Sequence, residues 1–239
     1  APELGSAAIA AALERSAVTP ESIEEVLMGC VLPAGLRQAP ARQAALGAGL
    51  PLGAPCTTIN KMCGSGMKAV MLTHDHILAG SGRIAIAGGL ESMSNAPYLL
   101  PKARGGYRLG NGELLDHMFV DGLEDAYEPG KLMGNFAEDC AARYNFSRKD
   151  QDDFAIESLT RATEAIENGA FRDEIISVSV NTRKETMKVD TDEQPLAANI
   201  EKIPYLKPAF HTDGTVTPAN SRSLSGGAAA PLSMKLPNA

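Results

Sequence analysis

The chain has 239 residues, a formal net charge of −7, 44% hydrophobic and 21% charged residues. These proportions are typical of globular proteins and exclude a wholly disordered chain. The acidic balance leaves no global basic field to hold nucleic acid. No apolar run approaches the roughly 20 residues of a membrane-spanning helix, so we expect neither nucleic acid nor a membrane as a partner.

The cysteines Cys30, Cys56, Cys63 and Cys140 are widely spaced and include no C-x-x-C pair. This spacing disfavours a zinc cluster or a disulfide framework and favours reduced thiols. The N-terminus also lacks the basic start and apolar stretch of a signal peptide. We therefore expect a cytoplasmic protein without a metal site, in which each cysteine is either a small buried hydrophobe or a reactive thiol.

Helices and strands alternate over the first 92 residues. Spacing of apolar residues predicts helices over 3–16, 39–46 and 67–78 and strands over 25–31, 57–60 and 84–87. Thr19 is predicted to cap a short helix that begins at Pro20. Strands that alternate with helices indicate an α/β layered fold with a mostly parallel sheet.

From about residue 93 the sequence becomes rich in glycine and proline, which indicates a loop-rich insertion. Within it, Ser147 and Asp150 form a predicted capping box at the start of a helix that runs to Asn168. A β-rich segment over 174–180 and a polar stretch to about residue 200 follow. The last apolar segment begins at 228–230.

Cys63 is predicted to lie between a strand and the first turn of a helix. Unpaired amides and the positive end of the helix dipole favour an anion at that position. The neighbouring glycines, Gly64 and Gly66, remove Cβ atoms that would block a bulky acyl group, and backbone amides there could cradle an oxyanion. These residues favour a nucleophile, although tight packing of a buried cysteine would produce the same pattern.

The wider string around Cys63, N-K-x-C-G-S-G-x-K-A over 60–69, closely resembles the nucleophile motif of thiolases, the coenzyme A-dependent acyltransferases. Further segments resemble the same family in the same order, at 33–48, 87–94, 121–138, 207–210 and 214–220. The resemblance therefore spans almost the whole chain. It implies a thiolase-like layered fold, helices packed on a mixed, mostly parallel sheet, with an inserted loop-rich domain.

By this resemblance the chain divides into three parts: 1–92 as an N-terminal α/β domain without its first strand, 93–223 as a loop domain, and 224–239 as a truncated return to the first domain.

The resemblance also implies a reaction, in which Cys63 would attack an acyl-coenzyme A and carry the acyl group. Claisen condensation with acetyl-coenzyme A, or thiolysis of a 3-ketoacyl-coenzyme A, would follow. Such chemistry belongs to fatty acid metabolism and needs no cofactor besides the coenzyme A thioester substrate.

The resemblance also assigns residues to the coenzyme. Met133 matches a residue that lines the acyl and pantetheine pocket, and Phe210 matches an aromatic residue on the pantetheine side. Ser221 and Arg222 lie in the family's serine-rich turn, where Arg222 replaces a small residue. Leu196 stands where many members have an arginine near the nucleotide, and loss of that cation should weaken binding.

Family members have a second α/β half with a G-H-P histidine that activates the nucleophile and a C-x-G-G-G cysteine that handles the α-proton. Neither motif occurs in the sequence, and we interpret its four histidines as surface or packing residues. Two hypotheses therefore stand: a thiolase-type acyltransferase, or a truncated and catalytically incompetent thiolase-like module. The expected partners are acyl-coenzyme A and either further copies in a dimer or tetramer or a complementary C-terminal half.

Overall fold

The computed structural model describes residues 1–235. The helices are α1 (Pro2–Ser16), α2 (Pro40–Gly47), α3 (Ser65–Leu78), α4 (Met133–Tyr144), α5 (Arg148–Glu167) and α6 (Glu193–Ala197). The strands are β1 (Glu25–Gly29), β2 (Cys56–Ile59), β3 (Ile84–Ser92), β4 (Tyr98–Leu99), β5 (Leu115–Asp116), β6 (Val178–Asn181), β7 (Thr186–Val189), β8 (Gly226–Ala229) and β9 (Leu232–Met234).

The chain divides into two compact units, one formed by residues 1–122 and 224–239 and the other by residues 123–223. The first boundary between the two units therefore lies after residue 122, whereas the sequence led us to expect it after residue 92. The reason is that the intervening segment bonds within the first unit, where the His117 N–H donates to the Pro97 carbonyl and the Ala34 N–H donates to His117 Nε2. Of the expected return to the first domain over 224–239, residues 236–239 lie outside the described residues.

The first unit is built on a five-stranded sheet in the order β2-β1-β3-β8, with β9 also paired to β3. Strand β1 runs parallel to both β2 and β3, whereas β8 and β9 are antiparallel to β3. The sheet is therefore mixed and its first three strands are parallel. This arrangement confirms the predicted fold class.

Helices cover both faces of this sheet because strand side chains alternate between them. On β1, Val26 and Met28 belong to the larger hydrophobic core, beneath α1 and α2. Leu27 points to the opposite face and joins Ala69 of α3 in a smaller core. Helix α3 is thereby fixed on one face of the sheet and α1 and α2 on the other.

Strand β3 is longer than predicted, since the sequence indicated a strand that ended before Gly88. Its glycines lie inside the strand because other backbones approach closely there: a Cβ on Gly88 would meet the Ala229 carbonyl of β8. Thr19 occupies the predicted N-cap position of a short helix that begins at Pro20, which is the 3₁₀ turn Pro20–Ser22. Its hydroxyl bonds Ser22 Oγ at 2.8 Å and makes no capping bond to the backbone of that turn.

The second unit contains α4, α5, α6 and the two-stranded β6–β7 ladder. The predicted capping box is confirmed: the Asp150 N–H donates to Ser147 Oγ at 3.1 Å and the Ser147 N–H donates to Asp150 Oδ2 at 2.9 Å. Among the described residues, no helix is both long and apolar enough to cross a membrane.

Candidate active site around Cys63

Cys63 lies in the turn that joins β2 to α3, and its side chain is exposed. Gly64 follows as the N-cap of α3, and Ser65 is the first residue of the helix. The structure thus places Cys63 at a strand-to-helix turn, as the sequence predicted, and not in the core.

Glycines let this turn approach the ends of the central strands. A Cβ on Gly29, the last residue of β1, would lie 2.6 Å from the Gly66 nitrogen and from the Ser65 carbonyl carbon. A Cβ on Gly66 would lie 3.5 Å from the Gly88 carbonyl oxygen. Because no L side chain fits at Gly29 without displacing backbone, the contact holds the start of α3 against the sheet.

The residue before Cys63 has a left-handed backbone conformation, with φ of +48° at Met62. The Asn60 side chain accepts the Met62 N–H at 3.0 Å, and the Ser65 hydroxyl donates to the Met62 carbonyl at 2.5 Å. The same hydroxyl accepts the Lys61 N–H at 2.8 Å. Two polar side chains therefore fix the backbone on both sides of Met62.

The backbone amides of the first turn of α3 fall into two groups. The Gly64 and Ser65 amides bond back to the carbonyls of Lys61 and Met62 at 3.2 and 3.0 Å. The next amides in the turn belong to the group that has no carbonyl partner inside a helix. Together with the positive end of the helix dipole, these amides favour negative charge at this end of α3.

Glu91 supports the loop that follows β1. Its carboxylate accepts the Val31 and Leu32 amides at 2.7 and 3.2 Å. Cys30 Sγ lies 3.7 Å from the same carboxylate. Burial, followed by the Glu91 charge, raises the pKa of the Cys30 thiol to about 12. Cys30 is therefore a packing residue, whereas Cys63 is exposed.

The histidines do not form a metal site. His117 is buried, with Nδ1 2.7 Å from Asp121 Oδ2, while His74 and His211 are exposed. His76 is half-buried on α3. Within residues 1–235, no cluster of three His, Cys, Asp or Glu side chains is arranged to hold a metal ion.

The residues assigned to the coenzyme all lie in the second unit, whereas Cys63 lies in the first. Met133 is the first residue of α4 and is 47% exposed. Phe210 packs on the next residue of that helix, because a Cβ on Gly134 would meet the phenyl ring. The structure therefore brings Met133 and Phe210 to one end of α4.

Ser221 and Arg222 follow a hydrogen-bonded turn, in which Asn220 Oδ1 accepts the Thr217 N–H at 2.7 Å. Asn220 Nδ2 also donates to Asp152 of α5 at 3.2 Å. Ser221 is half-buried and the Arg222 side chain is exposed. The turn thus presents Arg222 at the surface of the second unit. Sequence reasoning gave no indication of the bond to Asp152.

Leu196 lines a cavity of about 520 Å³ between α5 and the segment that follows α6. The residues that line it are Leu159, Thr163, Pro195, Leu196, Ala198, Asn199, Ile200 and Glu201. Glu201 is the one charged side chain in this lining, and it is anionic. The cavity therefore offers no cation to the phosphates of a nucleotide.

Comparison with known proteins supports the resemblance. The family described as "Thiolase, N-terminal domain" matches residues 1–236. An acetyl-CoA acetyltransferase of Pseudomonas aeruginosa is 49% identical over 236 residues, which are 98% of this chain and 60% of the relative. An acetyl-CoA acetyltransferase of Schizosaccharomyces pombe is 49% identical over 96% of this chain and 58% of the relative. A mitochondrial one of Mus musculus is 44% identical over 96% of this chain and 54% of the relative.

The chain thus spans less than two thirds of the length of these relatives. The similarity extends over nearly the whole chain, including the turn at Cys63 and the segments of the second unit that carry the predicted coenzyme residues. By this match, the chain belongs to the thiolase N-terminal domain family.

Proposed function

We propose that the protein transfers acyl groups between coenzyme A thioesters and that Cys63 carries the acyl group. The observation that supports this most directly is the exposed Cys63 thiol at the start of α3, in a turn fixed by Asn60 and Ser65. The relatives named acetyl-CoA acetyltransferase supply the substrate class.

In the first step, Cys63 Sγ attacks the carbonyl carbon of acetyl-coenzyme A. The new S–C bond forms, the bond from that carbon to the coenzyme sulfur breaks, and coenzyme A leaves as its thiol after it takes up the proton from Cys63. Amides of the first turn of α3 are the donors closest in sequence to the developing oxyanion. In the second step, the α-carbon of another acetyl-coenzyme A loses a proton and bonds to the acyl carbon. The bond from that carbon to Cys63 Sγ breaks, acetoacetyl-coenzyme A leaves, and the sulfur takes up a proton to become the free thiol again. Thiolysis of a 3-ketoacyl-coenzyme A is the reverse.

For the coenzyme we assign Met133 and Phe210 to the pantetheine arm and Ser221 and Arg222 to the turn beside it. Arg222 is a cation on an exposed turn and can meet a phosphate group of the ligand. The cavity at Leu196 lacks such a cation. We therefore expect weaker binding of the nucleotide end than in relatives with arginine at that position.

The function is proposed for an assembly of this chain with a complementary C-terminal half, since the chain spans 60%, 58% and 54% of the length of three relatives. The chain is expected to form a dimer or tetramer in that assembly. We place it in the cytoplasm. The second candidate is a thiolase-like module that binds coenzyme A and does not become acylated.

The decisive experiment incubates the chain with isotopically labelled acetyl-coenzyme A, alone and with the C-terminal part of the Pseudomonas aeruginosa relative. Peptide mass spectrometry should find the acetyl group on Cys63 in the mixture. Cys63→Ala should abolish the labelling, and Cys140→Ala should leave it intact. Coenzyme A binding without acetylation of Cys63 in either sample would favour the module instead.

A further inference from the structure

We propose that Asn60 and Ser65 are positioning residues for Cys63, an inference that rests on the proposed function. Their side chains hold Met62 in its left-handed conformation and thereby fix the peptide group that leads into the nucleophile. Neither side chain needs to touch the substrate, because each acts through the backbone of the turn.

The conformation of Met62 needs a local cause. Left-handed φ values are unfavourable for residues with a Cβ. Ala17 and Asn145 also have positive φ, but they end helices α1 and α4, where this conformation is usual. Arg37 and Ala39 have it in the loop that leads into α2. Met62 lies in the turn before α3 and is 48% exposed. Packing of the Met62 side chain therefore contributes little to its backbone conformation.

The two side chains constrain Met62 from opposite sides. Asn60 Oδ1 accepts the Met62 N–H at 3.0 Å, which makes an Asx-type turn. The Met62 carbonyl accepts both the Ser65 hydroxyl, at 2.5 Å, and the Ser65 N–H, at 3.0 Å. Because the peptide bond is planar and trans, a fixed Met62 carbonyl also fixes the direction of the Cys63 N–H.

Ser65 itself is held rigidly. It is 3% exposed, and a Cβ on Gly29 would lie 2.7 Å from Ser65 Cβ. Its hydroxyl accepts the Lys61 N–H while it donates to Met62. The turn that carries Cys63 is therefore tied through Ser65 to the end of β1. A site on a rigid element holds its reacting atoms more precisely than one on a free loop.

The test uses S-phenyl thioacetate, a small activated thioester without coenzyme A. Its transfer to a cysteine forms an S–acyl bond, breaks the bond from the acyl carbon to the phenyl sulfur, and releases benzenethiol with the proton from the cysteine. Peptide mass spectrometry measures acetylation of Cys63 relative to the exposed Cys140 in the same molecule. Iodoacetamide, which forms no oxyanion, is the second probe.

Ser65→Ala should lower the Cys63:Cys140 acetylation ratio at least about tenfold, and Asn60→Ala at least about fivefold, since misplacement of the reacting atoms can cost up to about a hundredfold in rate. The iodoacetamide ratio should stay within about twofold in both variants.

The matched control is Ser6→Ala, which removes a half-buried serine hydroxyl that donates to the Pro2 carbonyl at 3.0 Å in α1. Ser6→Ala should leave the Cys63:Cys140 ratio unchanged with both probes.

Asn60 is exposed, so Asn60→Ala tests the positioning role if Ser65→Ala fails to fold. Unchanged acetylation in Asn60→Ala, or an equal fall with both probes, would overturn the proposal. Failure of acetyl-coenzyme A to label Cys63 would refute the proposed function alone, because this probe needs no coenzyme site.

Discussion

Glu138 and Thr215 are joined by hydrogen bonds although they lie 77 positions apart in the sequence. The Glu138 carboxylate accepts both the backbone N–H and the hydroxyl of Thr215, each at 2.9 Å. It also accepts the Val216 N–H at 2.8 Å, and the residue is 8% exposed. A Cβ on Gly214 would collide with this carboxylate. Helix α4 and the turn that leads to Asn220 are thus held together by one buried anion.

Glu138→Gln should destabilise the protein by about 1.5–3 kcal/mol, because an amide replaces one of the two acceptor oxygens and leaves a buried donor without a partner. Urea unfolding followed by circular dichroism measures this difference. Glu157→Gln, at an exposed i,i+4 pair with Arg161, is the control and should change the unfolding free energy little. If both variants lost the same unfolding free energy, burial of the Glu138 carboxylate would not explain its contribution.

The contribution of Glu138 should also depend on pH. Burial acts to raise its pKa, but the donors from Thr215 and Val216 outweigh burial and hold the pKa below its usual value. The contribution is complete above the unfolded-state value of about 4.3 and is lost as the pH falls through the lower folded-state pKa.

The gap in unfolding free energy between the wild type and Glu138→Gln should therefore be constant from about pH 7 to about pH 5 and shrink below about pH 4. Urea titrations at a series of pH values measure it. A gap that widened on acidification would show that the folded-state pKa is raised instead.

Cys30 and Cys63 should differ sharply in native alkylation. Cys30 is 2% exposed with a pKa raised to about 12, so little thiolate is present and the reagent has no access. Iodoacetamide at about pH 8 should label Cys63 and Cys140 in the folded protein and reach Cys30 only in denaturant. Peptide mass spectrometry after timed quenching measures each site, and early labelling of Cys30 would contradict its burial.

Gly29→Ala should destabilise the protein by about 1–3 kcal/mol, because its Cβ would meet backbone atoms of Ser65 and Gly66 at 2.6 Å. Gly53→Ala is the matched control, since no atom lies within 4 Å of a Cβ there and its φ is not positive. The alanine in the control should leave the unfolding free energy nearly unchanged. A similar effect in both variants would mean that backbone entropy, and not contact, determines the result.

Local signals in the sequence were sufficient for several elements. The Ser147–Asp150 capping box and the turn around Cys63 were predicted because the interacting residues are close in sequence. Helix α4 was missed. It begins after Leu132, whose side chain cannot cap a helix, and the Asn135 side chain accepts the Leu132 N–H at 2.9 Å instead.

Contacts between distant residues could not be predicted from the sequence. The bonds of Glu138 to Thr215 and of Asn220 to Asp152 join residues 77 and 68 positions apart, and neither residue type nor local spacing indicates such a partner. The same holds for the glycines inside β3, since their role depends on which backbone lies opposite.

Strand β3 pairs with β1 along one edge and with β8 and β9 along the other, so its amides are bonded within the sheet on both sides. Exchange of those amides with deuterated solvent then requires the sheet itself to open, which ties their exchange rates to global unfolding of the first unit. The β6–β7 ladder has only two strands, and all four residues of β7 are exposed. Its amides should exchange through local opening, orders of magnitude sooner.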